Sequence, residues 1–162
     1  REHDMQILVA ILKELAEYAG KKGVMLGFEA INRFETSFIT TVEQVLEVVN
    51  RVDHPAFNVM LDTFHMNIEE DSLGDAIRMV GPRLIQVHSN ENNRGAPGAG
   101  HVPWKEVAQA LKDINFDGVF VIESFTNKVK SIARAAAIWR PLAKTQDDLA
   151  ADGVVFLREL MK

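Results

Sequence analysis

Apolar residues recur along the chain in two alternating rhythms, one of helical spacing and one of short continuous runs. Met5, Leu8, Ile11, Leu12, Leu15 and Ala19 fall on one helical face, and Gly20 followed by Lys21-Lys22-Gly23 supplies a stop, so residues 4–20 are predicted as an amphipathic helix. Residues 24–29 are short, mostly apolar and bounded by glycine, the pattern of a strand buried on both faces. Thr40 with Glu43 is predicted to form a capping box ahead of Val42, Val45, Leu46 and Val49, which share a helix face that Pro55 closes. A second buried-type strand is predicted over residues 57–62, and Asp71-Ser72 then cap a short helix bearing Leu73, Ile77 and Val80. Gly81-Pro82 ends that helix, and residues 84–88 form the third strand. A glycine-rich loop from Arg94 to Gly100 leads to Pro103, suited to the first turn of a helix with Val107, Leu111 and Ile114. Past the Asp117-Gly118 turn, residues 119–123 make the fourth strand, and helical segments follow around 132–139 and 147–160, broken at Pro141.

A helix followed by four strand-helix units implies parallel strands joined by right-handed crossovers. An open doubly wound sheet and a slice of a barrel both satisfy this order, and the strand ends decide between them. Each strand closes on a side chain able to bind a hard or borderline metal: Glu29, Asp62, His88 and Glu123. In a parallel barrel all C-terminal strand ends open on one face, so these four would converge there. One acid at a strand end is ordinarily a turn or cap residue, and a histidine after an apolar run is ordinarily a hydrogen-bonded core residue. The series of four is what points to a site. Three carboxylates and an imidazole suit Mn2+, with Mg2+ or Co2+ also accommodated. The expected fold class is therefore α/β, the C-terminal half of a (β/α)8 barrel with four parallel strands alternating with helices. A full barrel takes about 250 residues, so residues 1–162 are expected to be one partial domain whose N-terminal half is absent. The opening on Arg1, with a helical pattern at once, agrees with a fragment.

Composition narrows the partners. A net charge of -5 without a dense Lys/Arg run argues against nucleic acid, and no apolar stretch approaches the roughly 20 residues that cross a bilayer. The absence of cysteine rules out disulfides and thiolate metal sites and fits a reducing compartment, so a cytoplasmic location is expected.

Four motifs resemble one family. They are Glu29-Ala30-Ile31-Asn32-Arg33-Phe34-Glu35, Leu61-Asp62-Thr63-Phe64-His65-Met66-Asn67-Ile68-Glu69-Glu70, His88-Ser89-Asn90-Glu91-Asn92-Asn93-Arg94-Gly95 with Pro97-Gly98, and Ile122-Glu123-Ser124-Phe125. In this order they are similar to the ketose 3-epimerases of the xylose-isomerase-like superfamily. The resemblance weakens over the last 35 residues or so, which read as generic closing helices. It implies that Glu29, Asp62, His88 and Glu123 hold one divalent ion, usually Mn2+, and that Glu29 and Glu123 exchange protons with a ketose. It further implies that Glu35, His65 and Arg94 contact substrate oxygens. Ser89-Asn90 departs from the pair many relatives carry, without removing a ligand.

The chemistry stands beside the resemblance. A hydrogen on the carbon next to a ketone is a weak acid, and its removal at neutral pH needs a base together with a cation stabilising the enediolate. Inversion needs bases on both faces. Aldose–ketose isomerisation and inosose-type dehydration reuse the same enolisation, while an inactive half-barrel that self-associates is a reading of another class. A DNA-repair endonuclease on this fold would need more histidines, for several zinc ions, and a basic face. With two open sheet edges, a homo-oligomer or pairing with a complementary half-barrel is expected. The loop 94–100 lacks the Gly-Lys-Ser/Thr ending of a phosphate loop and is read as a flexible active-site loop. Glu69-Glu70-Asp71 is read as favouring a helix N-terminus and otherwise solvated, His3, His54 and His101 as surface or loop residues, and Trp104 and Trp139 as packing residues.

Overall fold

Short β-rich runs between glycine and proline breaks become four strands in the computed structural model, which describes residues 1–162. They are β1 (Leu26–Glu29), β2 (Phe57–Asp62), β3 (Leu84–His88) and β4 (Val119–Val121), paired in parallel in the order β1-β2-β3-β4. The helices are α1 (Glu2–Lys21), α2 (Val42–Val52), α3 (Thr63–Glu69), α4 (Leu73–Val80), α5 (Trp104–Asp113), α6 (Lys130–Ala135) and α7 (Gln146–Leu160). Sequential strands are spatial neighbours, so no switch point divides the sheet, as a barrel segment requires and a doubly wound sheet does not.

Period-two alternation divides the strands into two faces. Phe57, Val59 and Leu61 of β2, with Val87 of β3, pack against Val45, Val48 and Val49 of α2, Ile77 of α4 and Leu111 of α5 in one apolar core. The other face carries Gly27 and Glu29, Asn58, Met60 and Asp62, and Gln86 and His88, as the register aligns Glu29 with Met60, Met60 with Gln86 and Asp62 with His88. The strands are thus fully covered on one face only, and the acids at their ends lie on the open one. Glycine is required at position 118, where a Cβ would strike the Ile85 carbonyl oxygen across the β3–β4 pair.

Local chemistry moves several predicted boundaries. Val24 and Met25 are exposed ahead of β1. The capping box uses Thr41 and Gln44, one residue later than Thr40 and Glu43, because Val42 is already the first helical residue and is buried. Pro103 is the N-cap of α5 and lies outside its first turn. The helix α3 is an addition to the predicted order: the Asp62 side chain accepts the Phe64 N–H at 2.8 Å and starts a helix directly at the strand end. β4 pairs only as far as Val121, so Glu123 lies past the ladder. Trp104 is buried as expected, whereas Trp139 is 73% exposed beyond the short α6 and does not pack.

Candidate metal and sugar site

The strand ends converge. Glu29, Asp62 and His88 each place a ligand atom within 4.8 Å of the others. Glu123, the fourth residue of the series, stands beside this trio: its Oε1 is 3.6 Å from His88 Nδ1, and its Oε2 accepts from Arg94 Nη1 at 2.5 Å. The same Nη1 donates to Asp62 Oδ2 at 2.6 Å, so one guanidinium nitrogen bridges two of the four predicted ligands. Arg94 is 7% exposed, sits over the Phe64 ring at 4.0 Å and holds a left-handed backbone, φ 66°.

The electrostatics follow from this crowding. Burial, then the Asp62 charge, pushes Glu29 up to about 7. His88 beside it, with help from Arg94, holds Glu123 below the usual carboxylate range despite partial burial. The Glu123 carboxylate raises His88 against burial. His88 Nδ1 is buried without a hydrogen-bond partner, while Nε2 lies 2.8 Å from Gln86 Nε2. An orphaned imidazole nitrogen beside a Glu29 whose charge burial and Asp62 disfavour fits a divalent cation, which accepts both donor types and offsets that repulsion.

The predicted sugar-binding residues gather next to this cluster. Glu35, Phe64, Arg94 and Phe125 line a cavity of about 320 Å³ together with Ile132 and Ala136 of the α6 region. His65 is buried against Arg94, one of the residues lining that cavity. Asn32 donates its backbone N–H to Nδ1 of the neutral His65 ring at 3.1 Å, and His65 Nε2 lies 3.1 Å from Arg94 Nη2. Burial lowers the His65 pKa and favours that neutral form, with Arg94 adding to the effect and Asp62 opposing it. Glu35, 46% exposed, accepts from Asn32 Nδ2 at 3.0 Å.

Two loops are fastened by acids that the sequence leaves looking idle. Glu69 is 6% exposed and takes both the backbone and side chain of Arg33, pinning the loop that carries Glu35. Glu70 accepts the Val42 N–H at 2.8 Å and so caps α2 from a distant part of the chain. These two residues are therefore structural ties and not solvated charges. The loop after β3 is likewise held: fully buried Glu91 accepts from Gly98 N, Val102 N and Trp104 Nε1. Asn32, Asn90 and Glu91 went unread as site-building residues. Their one sequence signal was amides and an acid just past a predicted strand end, which is also the ordinary composition of a loop.

Comparison with known proteins finds relatives in both sequence and fold. The chain is 40% identical over 152 residues to D-psicose 3-epimerase of Ruminiclostridium cellulolyticum, covering 94% of this chain and 52% of that protein. It is 43% identical over 133 residues to D-psicose 3-epimerase of Agrobacterium fabrum, covering 82% of this chain and 46% of that one. Among solved structures, D-psicose 3-epimerase with D-tagatose from Clostridium cellulolyticum superposes with a TM-score of 0.93 at 36% identity, covering 100% of this chain and 58% of the other. The chain spans about half the length of the curated relatives it matches. The profile described as xylose isomerase-like TIM barrel matches residues 1–160, and the chain belongs to that family.

Proposed function

We propose that this chain carries the metal-holding and proton-transferring part of a ketose 3-epimerase. One observation carries the reading: side chains from the ends of β1, β2 and β3 meet within 4.8 Å, with Glu123 reaching the same cluster from beyond β4. Glu29, Asp62, His88 and Glu123 would hold a divalent ion, Mn2+ by preference. Such an ion supplies the positive charge that lets a ketose become an enediolate at neutral pH.

The protein's own groups account for the rest. Glu29 ends β1 and Glu123 follows β4, the two outer strands of the sheet, so a ketose lying between them presents one face of C3 to each. One carboxylate takes the proton bonded to C3, and the C–H electron pair becomes the C2=C3 bond of the enediolate. The other carboxyl then delivers its proton to the opposite face of C3, which restores the ketone with inverted configuration. Arg94 lines the adjoining cavity and can donate to the developing oxyanions, with His65 packed against it as a further sugar-binding residue, while Glu35 accepts a sugar hydroxyl.

Incubation of the chain with Mn2+ and D-psicose, followed by chromatographic product analysis, tests this. D-fructose as product supports it. An aldose would favour isomerisation, and a product lighter by one water would favour dehydration. Glu123→Gln should abolish turnover with the circular dichroism spectrum retained, and activity persisting in that variant counts against its proton-transfer role.

A second reading concerns assembly. Ile7, Ile11, Leu15 and Tyr18 leave one side of α1 exposed, and Phe120, Ile122, Val154, Leu157 and Met161 line an apolar groove between β4 and α7. A second four-strand unit, such as the other half of the relatives' length, fits both surfaces and both sheet edges. A chain that sediments as a monomer at high concentration would count against a second copy as that unit. No helix is long and apolar enough to cross a membrane, and a cytoplasmic setting belongs to this reading.

A further inference from the structure

Asn90 lies just past β3, completely buried, and its side chain joins two candidate ligands that come from different strands. Its Nδ2 donates to Asp62 Oδ1 at 2.9 Å, and its Oδ1 accepts the backbone N–H of Glu123 at 3.0 Å. The amide is itself locked in place. Its backbone N–H donates to Thr63 Oγ1 at 2.8 Å, and the Thr63 hydroxyl donates back to its carbonyl at 2.6 Å.

We infer that Asn90 is a positioning residue for the metal site, setting which oxygen of Asp62 faces the ion and where the chain departs from β4 to deliver Glu123. The inference rests on the metal-site reading given above. Asp62 Oδ1 already accepts the Phe64 N–H at the start of α3, and the Asn90 amide engages its remaining capacity. Oδ2 is therefore the oxygen left for a cation, and it is the one that now takes Arg94. On the other side, strand pairing stops at Val121, two residues short of Glu123. The Asn90 side-chain Oδ1 takes over there, giving the Glu123 backbone a partner where the ladder offers none. An aliphatic residue would free both: Asp62 could rotate, and Glu123 would lose its tether to β3.

Partners that orient a metal ligand typically change metal affinity about 10–100-fold when removed. The test is calorimetric titration of Mn2+ into the chain, its Asn90→Ala and Thr63→Val variants, and Val107→Ala as a control. Val107 is buried in α5 among the core residues, so that variant loses stability without touching the site. Asn90→Ala should bind Mn2+ more weakly by about 10–100-fold, Thr63→Val should weaken binding in the same direction, and Val107→Ala should bind as the parent does. Thr63→Val is close to isosteric and keeps the test decisive if Asn90→Ala does not fold. Parent-like affinity in either folded variant overturns the inference alone. Equal loss in Val107→Ala would also overturn it, by making the effect one of general stability. A parent chain that takes up no Mn2+ overturns the metal-site reading and this inference with it.

Discussion

Arg94 is the cation of this site as it stands, and removing its charge should be felt in stability before it is felt in catalysis. The substitution Arg94→Met keeps an unbranched side chain able to rest against Phe64 and Phe125 while deleting the bonds to Asp62 and Glu123. Asp62 is fully buried, so its carboxylate would be left without its closest cation, and breaking such a pair costs about 3–5 kcal/mol. Glu123 keeps partial access to water, which points to the lower end, about 3 kcal/mol. For a chain of this size each kcal/mol moves Tm by about 2–4 °C, so calorimetry in the presence of a chelator should find Tm lower by about 6–12 °C. Mn2+ should then reverse the order of effects. In the parent the ion competes with a guanidinium for Asp62 Oδ2 and Glu123 Oε2, and in the variant it does not. At a concentration about 100 times Kd, binding adds about 2.7 kcal/mol, and because the variant binds more tightly, its Tm should climb further than the parent's at any fixed Mn2+ concentration. An unchanged Tm in chelator, or a smaller Mn2+ response in the variant, would refute the reasoning.

Other consequences can be measured on the same material. Glu70 is raised above its ordinary value by burial, with its bond to the Val42 N–H opposing, so ionisation works against the fold. Its contribution is greatest below the usual glutamate range and is lost as pH rises through the folded value. Glu70→Gln, which still offers Val42 an acceptor, should melt higher than the parent at neutral pH, with the gap closing in acid; a gap independent of pH would contradict this. Glu91→Ala strips three N–H donors of their acceptor, each about 1–3 kcal/mol if left unpaired. Its urea midpoint should fall well below that of Glu91→Gln, which keeps one carbonyl acceptor, and Trp104 emission should shift to the red as its ring loosens.

What could be read from the chain divides according to how far each interaction reaches. β2 and β3 agree with their predicted limits because each largely apolar run starts just past a local breaker, Pro55 before one and Gly81-Pro82 before the other, and ends on the side chain read as a ligand. The capping box slipped by one because Thr40-Thr41 and Glu43-Gln44 offer two overlapping versions, and only the burial of Val42 chooses between them. α3 escaped because its N-cap is Asp62, a residue read for its part in the metal series. One oxygen of that side chain caps a helix while the other points into the site, and a one-letter code records neither. The same limit applies with more force to the amides. The acids announced themselves by recurring at strand ends, a regularity that survives in one dimension. Asn32 and Asn90 each act on partners roughly thirty residues away in the chain, Asn32 fastening His65 to the β1 loop and Asn90 joining Asp62 to Glu123, and nothing periodic marks them. A metal site built from scattered strand ends needs such joints more than one built on a single helix, because no common backbone holds its ligands in mutual register. The residues that fix that register should therefore sit where Asn90 does, at the first position free of the ladder, where a side chain can still reach both neighbouring strands.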